Sequence, residues 1–365
     1  MYWIQSSVIW GRGDNGLIPE IHGVLSQVLK DRSLDWRTCF TDVRVEPPEG
    51  SRIVVECSDR EVLEDVGRRL SGWAAGEGMT MEFVGLPDPR ETFPEVLVAA
   101  GSVADVRRSN AHSAELLTQI VCGDEVRPLK TAGDWVLVRL DDGYVGWVRS
   151  WHLKGITRHE QGIFAAKARH RVRENVVQIH ENPDSSALAV AEAVVGTPVV
   201  AATCPIKGWR RATLPDGNAG YVRSRSLEKK ITRSPVSRES LAVWGLRFLG
   251  IPYVWGGTTP KGFDCSGLVQ RIFRLHGVLV PRDSDQQALF GRAKNVGDTR
   301  ELDAGDLLFF GRSADQITHV AMYLSNGLFV HALGKVRVNA LFAAHSLFEE
   351  RLVRDWQGTR DPLSK

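Results

Sequence analysis

Tyr253-Val254-Trp255-Gly256-Gly257-Thr258-Thr259-Pro260-Lys261-Gly262-Phe263-Asp264-Cys265-Ser266-Gly267-Leu268-Val269-Gln270 decides how this sequence is read. A Gly- and Pro-rich turn leads into Asp264, a good helix N-cap, and the apolar positions Leu268, Val269, Ile272 and Phe273 then recur at helical spacing. Cys265 therefore falls at a helix N-terminus, where unpaired N–H groups and the positive end of the helix dipole favour a thiolate and lower the thiol pKa. Its own backbone N–H points to where a tetrahedral oxyanion would form. A thiolate also needs a base, and later an acid for the leaving amine.

Two histidines downstream fit that need. Thr318-His319-Val320-Ala321-Met322-Tyr323-Leu324 alternates as a strand, with His319 on the face of Ala321 and Tyr323. After the turn Ser325-Asn326-Gly327, the segment Gly327-Leu328-Phe329-Val330-His331-Ala332 reads as a second strand. If the two pair antiparallel, His331 lies beside His319 and can orient it through the second ring nitrogen.

Working upstream, an internal repeat dominates. Gly133-Asp134-Trp135 to Arg149-Ser150 recurs ungapped 74 positions later as Lys207-Gly208-Trp209 to Arg223-Ser224. Each copy reads as strand, Asp-Gly turn and strand, the turn being taken as the two-residue hairpin loop that Asp-Gly favours. Two such copies, built of short closely spaced strands, imply two small β-barrels over 96–155 and 160–230. Residues 1–93 alternate in type: Tyr2 to Trp10 a strand, Leu17 to Lys30 a helix, Trp36 to Val45 and Arg52 to Cys57 strands, Asp59 to Ala75 a helix capped by Ser58 or Asp59, and Met79 to Val84 a strand. That order is compatible with a ferredoxin-like α+β layer of docking or structural character. Lys229 to Ser237 reads as a short basic and polar linker, and 237–358 as a compact α+β unit that carries the chemistry. The expected class is a multidomain α+β protein.

Composition narrows the function classes. Of 365 residues, 43% are apolar and 25% charged, an ordinary globular balance with room for several cores. Forty-six Lys and Arg against 44 Asp and Glu leave +2, which points to neither a nucleic-acid nor a membrane partner. No apolar run is long enough to span a bilayer, and the first residues lack a basic and apolar leader, so the expectation is a cytoplasmic protein. Cys39, Cys57, Cys122, Cys204 and Cys265 are odd in number, scattered and without a C-x-x-C pair, which fits neither a disulfide framework nor structural zinc. Apart from Cys265 they read as inert thiols. The other eight histidines show no ligand spacing, and neither a metal nor a cofactor is expected.

Trp255-Gly256-Gly257, Gly262-Phe263-Asp264-Cys265-Ser266-Gly267-Leu268, Ala304-Gly305-Asp306-Leu307-Leu308-Phe309-Phe310, His319-Val320-Ala321 and His331-Ala332 together resemble the NlpC-type family of papain-like cysteine peptidases, which cut bacterial cell-wall peptides. The resemblance covers about 240–356, and the barrels resemble the bacterial SH3-like domains joined to such peptidases. It implies Cys265 as nucleophile, His319 as general base and acid, His331 as the orienting residue, and Tyr253 at the oxyanion site. It further implies that Asp264, Ser266 and Ser284 contact substrate and that Glu115 and Tyr144, from the first barrel, reach the substrate amine. The implied substrate is a small murein peptide with a free N-terminal L-alanine, cleaved at the γ-D-glutamyl-diamino acid bond. Two other readings stand beside it: a wall-binding protein that works through its barrels, and a Cys-His acyltransferase.

Overall fold

The computed structural model describes residues 17–46, 52–76, 80–229, 236–297 and 299–364. The expected strand at Tyr2 to Trp10 and most of the expected linker lie outside these. The chain divides into two compact units. One holds residues 1–97, 108–114 and 125–150, and the other residues 98–107, 115–124 and 151–365.

In the first unit, strands Thr41–Glu46, Arg52–Cys57 and Thr80–Gly85 form a sheet in that order. The central strand alternates between two cores. Ile53, Val55 and Cys57 face helices Leu17–Asp31 and Arg60–Gly76, whose Ile21, Leu25, Val28, Val62, Val66 and Leu70 follow helical spacing. Val54 turns to the opposite face and packs with Leu129, Trp135, Leu137 and Trp147 of the first repeat. The capping residue of the second helix is Asp59, whose Oδ1 accepts the Val62 N–H at 3.0 Å. One expectation is corrected here. A ferredoxin-like layer would separate Arg52–Cys57 from Thr80–Gly85 by the first strand of the chain, but the two are direct parallel neighbours. The helix between them acts as a crossover that returns the chain in the same direction. Glu56, on the barrel-facing side of the central strand, is 2% exposed and bonds Arg44 and Lys130, which offsets the burial of its charge.

The hairpins of the two repeats have the same register. Trp135 faces Arg149 and Leu137 faces Trp147; 74 positions on, Trp209 faces Arg223 and Arg211 faces Tyr221. In both, an arginine lies over the tryptophan ring, Arg149 at 4.4 Å and Arg223 at 4.2 Å from its centroid. The turns differ from the two-residue expectation. Leu140 N–H bonds Tyr144 O and Leu214 N–H bonds Asn218 O, leaving three-residue loops in which Gly143 and Gly217 take the positive φ. Asp142 and Asp216 keep φ negative, so one glycine suffices. Between the repeats the chain forms helix Arg158–Lys167, with a Thr157/Glu160 capping box that the sequence reading passed over.

In the second unit, helix Arg238–Arg247 starts at the Ser237 cap. Helix Cys265–Leu275 is buried almost all round, against a six-stranded antiparallel sheet ordered Arg292–Lys294, Trp356–Asp361, Leu307–Gly311, Ile317–Ser325, Leu328–Leu333, Lys335–Ala340. Phe263, Leu268, Val269, Ile272 and Phe273 share one core with Leu307, Phe309, Val320, Met322 and Val330. That core fixes the helix start relative to the sheet. Among the described residues no helix is long and apolar enough to cross a membrane.

Candidate active site

The turn before Cys265 is closed so tightly that side chains are excluded. A Cβ on Gly267 would sit 2.1 Å from Gly257 O, and one on Gly256, where φ is +77°, would sit 2.4 Å from Leu116 O. Asp264 accepts from Gly267 N–H at 2.6 Å and Gly256 N–H at 2.9 Å, so one carboxylate caps the helix and locks the turn. Arg282, 1% exposed, grips the same carboxylate with both terminal nitrogens, at 3.1 and 2.5 Å, and donates to Ser266 Oγ at 2.9 Å. The paired geometry is that of a buried, charge-assisted fork. Asp264 and Ser266 are thus engaged in holding the turn before Cys265. Arg282 went unread in the sequence because its distance along the chain carries no periodic signal.

Cys265 is 9% exposed, and the nearby backbone N–H groups of Val320 and Ser266 act to lower its thiol pKa. Burial, followed by the nearby charge of Asp264, pushes the thiol up to about 12. This corrects the expectation of a lowered thiol pKa: the helix start is present, but desolvation and the adjacent carboxylate outweigh it. His319 is pushed down to about 3, by burial first and then by His331 and Arg337. Burial thus disfavours the charged form of both groups.

His319 Nε2 lies 2.8 Å from His331 Nδ1, with the rings edge to face. His331, 0% exposed, is pushed down to about 4, chiefly by burial. Its Nε2 is 2.9 Å from Asn339 Oδ1, and Asn339 Nδ2 donates to Leu347 O at 2.8 Å. Asn339 was not anticipated. It sits on the last strand, two residues beyond Arg337, the cross-strand partner of His331, and so on the same face. Reading the turn at Gly334 as a hairpin would have found it.

Tyr253 is half-buried beside the same core, and its phenol is pushed up to about 12 by burial and by Cys265 and Asp264, so it stays protonated as a donor. Ser284 opens the short helix Ser284–Gln287, half-buried, with Asp283 rather than Ser284 at the capping position. Glu115 is exposed and accepts from Trp255 Nε1 at 2.9 Å, while Gln119 Oε1 accepts from Thr258 N–H at 3.2 Å and Thr259 Oγ1 at 3.1 Å. The strand that follows Glu115, Leu116–Val121, is thereby fastened to the loop that delivers Cys265. Tyr144 belongs to the other unit, where its side chain is 4% exposed. Among the described residues, no group of three or more His, Cys, Asp or Glu is arranged to hold a metal. The remaining thiols are apart from this chemistry: Cys39, Cys57 and Cys122 are buried and Cys204 half-buried.

A helix-start thiol set against an antiparallel sheet that carries two linked imidazoles is the arrangement of a papain-like cysteine hydrolase. Residues 250–357 match the NlpC/P60 family, and residues 106–153 match the bacterial dipeptidyl-peptidase Sh3 domain. The chain is 30% identical over 240 residues to a gamma-D-glutamyl-L-lysine dipeptidyl-peptidase of Bacillus cereus, covering 61% of this chain and 68% of that one. It is also 30% identical over 253 residues to dipeptidyl-peptidase 6 of Lysinibacillus sphaericus, covering 66% and 89%. An NlpC/P60 family protein from Bacillus cereus shares the fold, with a TM-score of 0.61 at 24% identity over 73% of this chain and 99% of that one. The chain belongs to the NlpC/P60 family of cysteine peptidases.

Proposed function

We propose that this enzyme hydrolyses short murein-derived peptides at the γ-D-glutamyl-diamino acid bond and requires their N-terminal L-alanine to be free. The observation that carries the reading is the placing of Glu115 against Trp255, on the loop that leads to Cys265. A peptide bound with its carbonyl at Cys265 would then meet a carboxylate on its amino side. The relatives named as dipeptidyl-peptidases support the same substrate class. With Asp264 neutralised by Arg282, amine recognition rests on Glu115 more than on a pair of carboxylates. Ser284 is proposed as a further substrate contact.

In the reaction, the Cys265 sulfur adds to the γ-carbonyl as its proton passes to His319, while the Cys265 N–H and the Tyr253 hydroxyl stabilise the oxyanion. His319 returns the proton to the leaving amine, which departs with it and leaves a thioester on Cys265. Water then adds, His319 again accepting and returning the proton, and the dipeptide acid and free thiol are released. The test compares kcat/KM for L-Ala-γ-D-Glu-diaminopimelate and its N-acetylated form, with products read by mass spectrometry. The free peptide should yield L-Ala-D-Glu and diaminopimelate, and acetylation should lower kcat/KM by about 10²-fold, since it removes the positive charge that would meet the Glu115 carboxylate and adds an acetyl group in its place. Cys265→Ala should release neither product. Equal rates on the two peptides would reject the free-amine requirement, and an intact free peptide would reject the substrate.

A further inference from the structure

We infer that Asn339 sets the proton positions of both histidines and is thereby a positioning residue for the base. The inference rests on Cys265 and His319 acting as nucleophile and base. The chain of bonds starts at Leu347 O, an acceptor only, which must receive the Asn339 amide N–H at 2.8 Å. That fixes the amide so that Oδ1, again an acceptor only, faces His331 Nε2 at 2.9 Å. His331 must then carry its proton on Nε2, and as a neutral ring it offers a lone pair at Nδ1. His319 Nε2, 2.8 Å away, has to be the donor of that contact. A neutral His319 with its proton on Nε2 has its lone pair on Nδ1, the nitrogen not engaged by His331, and that is the atom available to take the thiol proton. A backbone carbonyl outside the catalytic centre thus dictates, through three side chains, which nitrogen is the base.

The amide is chemically specific in this role. An alanine at 339 leaves His331 Nε2–H unpaired in a fully buried position and frees both rings to exchange tautomers. An aspartate keeps the size and the acceptor atom but adds a charge that favours a doubly protonated His331. Such a ring presents an N–H at Nδ1, where His319 already points one. His319 must then move its proton to Nδ1 and lose the basic nitrogen. Besides His319, the charged group facing His331 is Arg337, its cross-strand partner, which opposes protonation and is itself 3.6 Å from Glu349. Both are unchanged in the 339 variants.

The experiment has two readouts. In the full-length wild type, ¹⁵N chemical shifts of the imidazoles at neutral pH should report both His319 and His331 as neutral rings protonated on Nε2. Resonance assignment comes from His319→Gln and His331→Gln. In Asn339→Asp, kcat on the free tripeptide should fall by about 10²-fold at pH 6 and recover to within about threefold of wild type by pH 9, with KM little changed. Sensitivity rises toward low pH because the loss tracks protonation of His331, which the new carboxylate raises. Asn339→Ala should lose about tenfold at every pH. If the wild-type spectrum places the His319 proton on Nδ1, or Asn339→Asp keeps the wild-type pH profile, the inference is overturned. A protein that cleaves no murein peptide would sink the proposed substrate, while the spectrum alone would still decide the role of Asn339.

Discussion

The strand Leu116–Val121 of the first repeat and the strand Ala189–Val194 of the second hold equivalent places and do different work. Each runs into a turn whose glycine, Gly123 or Gly196, takes a positive φ, with backbone bonds Asp124 N–H to Val121 O and Thr197 N–H to Val194 O. Aligned on those turns, Glu115 corresponds to Leu188 and Gln119 to Glu192. Glu115 and Gln119 bond the loop that leads into Cys265; Leu188 is 70% exposed, and Glu192 is paired with Lys261 Nζ, at 2.5 Å. What the repeats share is the means of folding a small barrel. What they do not share is where the first of them meets the chemistry.

The shared part is tested by the largest stability effect. Trp135 and Trp209 are 6% and 5% exposed, each beneath an arginine. Trp135→Ala and Trp209→Ala should each cost about 3–5 kcal/mol, read from the shift in urea midpoint by tryptophan fluorescence and circular dichroism together. A tolerated Trp209→Ala beside a damaging Trp135→Ala would break the equivalence of the two hairpins.

The divergent part is tested on catalysis. Glu115→Gln keeps an acceptor for Trp255 Nε1 but removes the charge, and should lower kcat/KM on the free-amine peptide by about 10- to 10²-fold. Alkylation of Cys265 by iodoacetamide should proceed at the wild-type rate, since the thiol's own surroundings are untouched. Leu188→Ala, the same place in the second repeat, should stay within about twofold of wild type in both assays. Equal effects at the two positions would reduce the strand before Gly123 to scaffolding.

The same contrast explains what the sequence made legible. The helix start at Cys265 and the meeting of His319 with His331 could be read because capping and strand alternation restrict their places. The repeat could be read because Trp, Asp-Gly and Arg recur in step. The pKa of Cys265 could not, since a helix start argues one way and burial beside Asp264 the other, and burial is a property of the packed fold. Arg282 and Asn339 were missed because a buried fork and a hydrogen-bond relay are made across elements, with no spacing along the chain to mark them. The pairing of Arg52–Cys57 with Thr80–Gly85 was misread because alternation identifies a strand without naming its neighbour.

The contact that Glu192 of the second repeat makes with Lys261 should matter least. Glu192 and Lys261 have side chains 35% and 46% exposed, so their attraction is screened by water and offset by the ordering of a long side chain. Lys261 nonetheless lies on the loop before Cys265, so through it the second barrel could influence that loop as Gln119 does from the first. The two cases differ in kind. Gln119 bonds backbone and hydroxyl groups of Thr258 and Thr259, which are 2% and 0% exposed, whereas Lys261 offers a flexible ammonium at the surface. Glu192→Gln should therefore cost no more than about 1 kcal/mol of stability and leave kcat/KM within about twofold of wild type, with any difference vanishing in 0.5 M salt. A loss of about tenfold or more that persists in salt would mean that the second barrel also sets the loop, and the division between a barrel that addresses the site and one that does not would have to be given up.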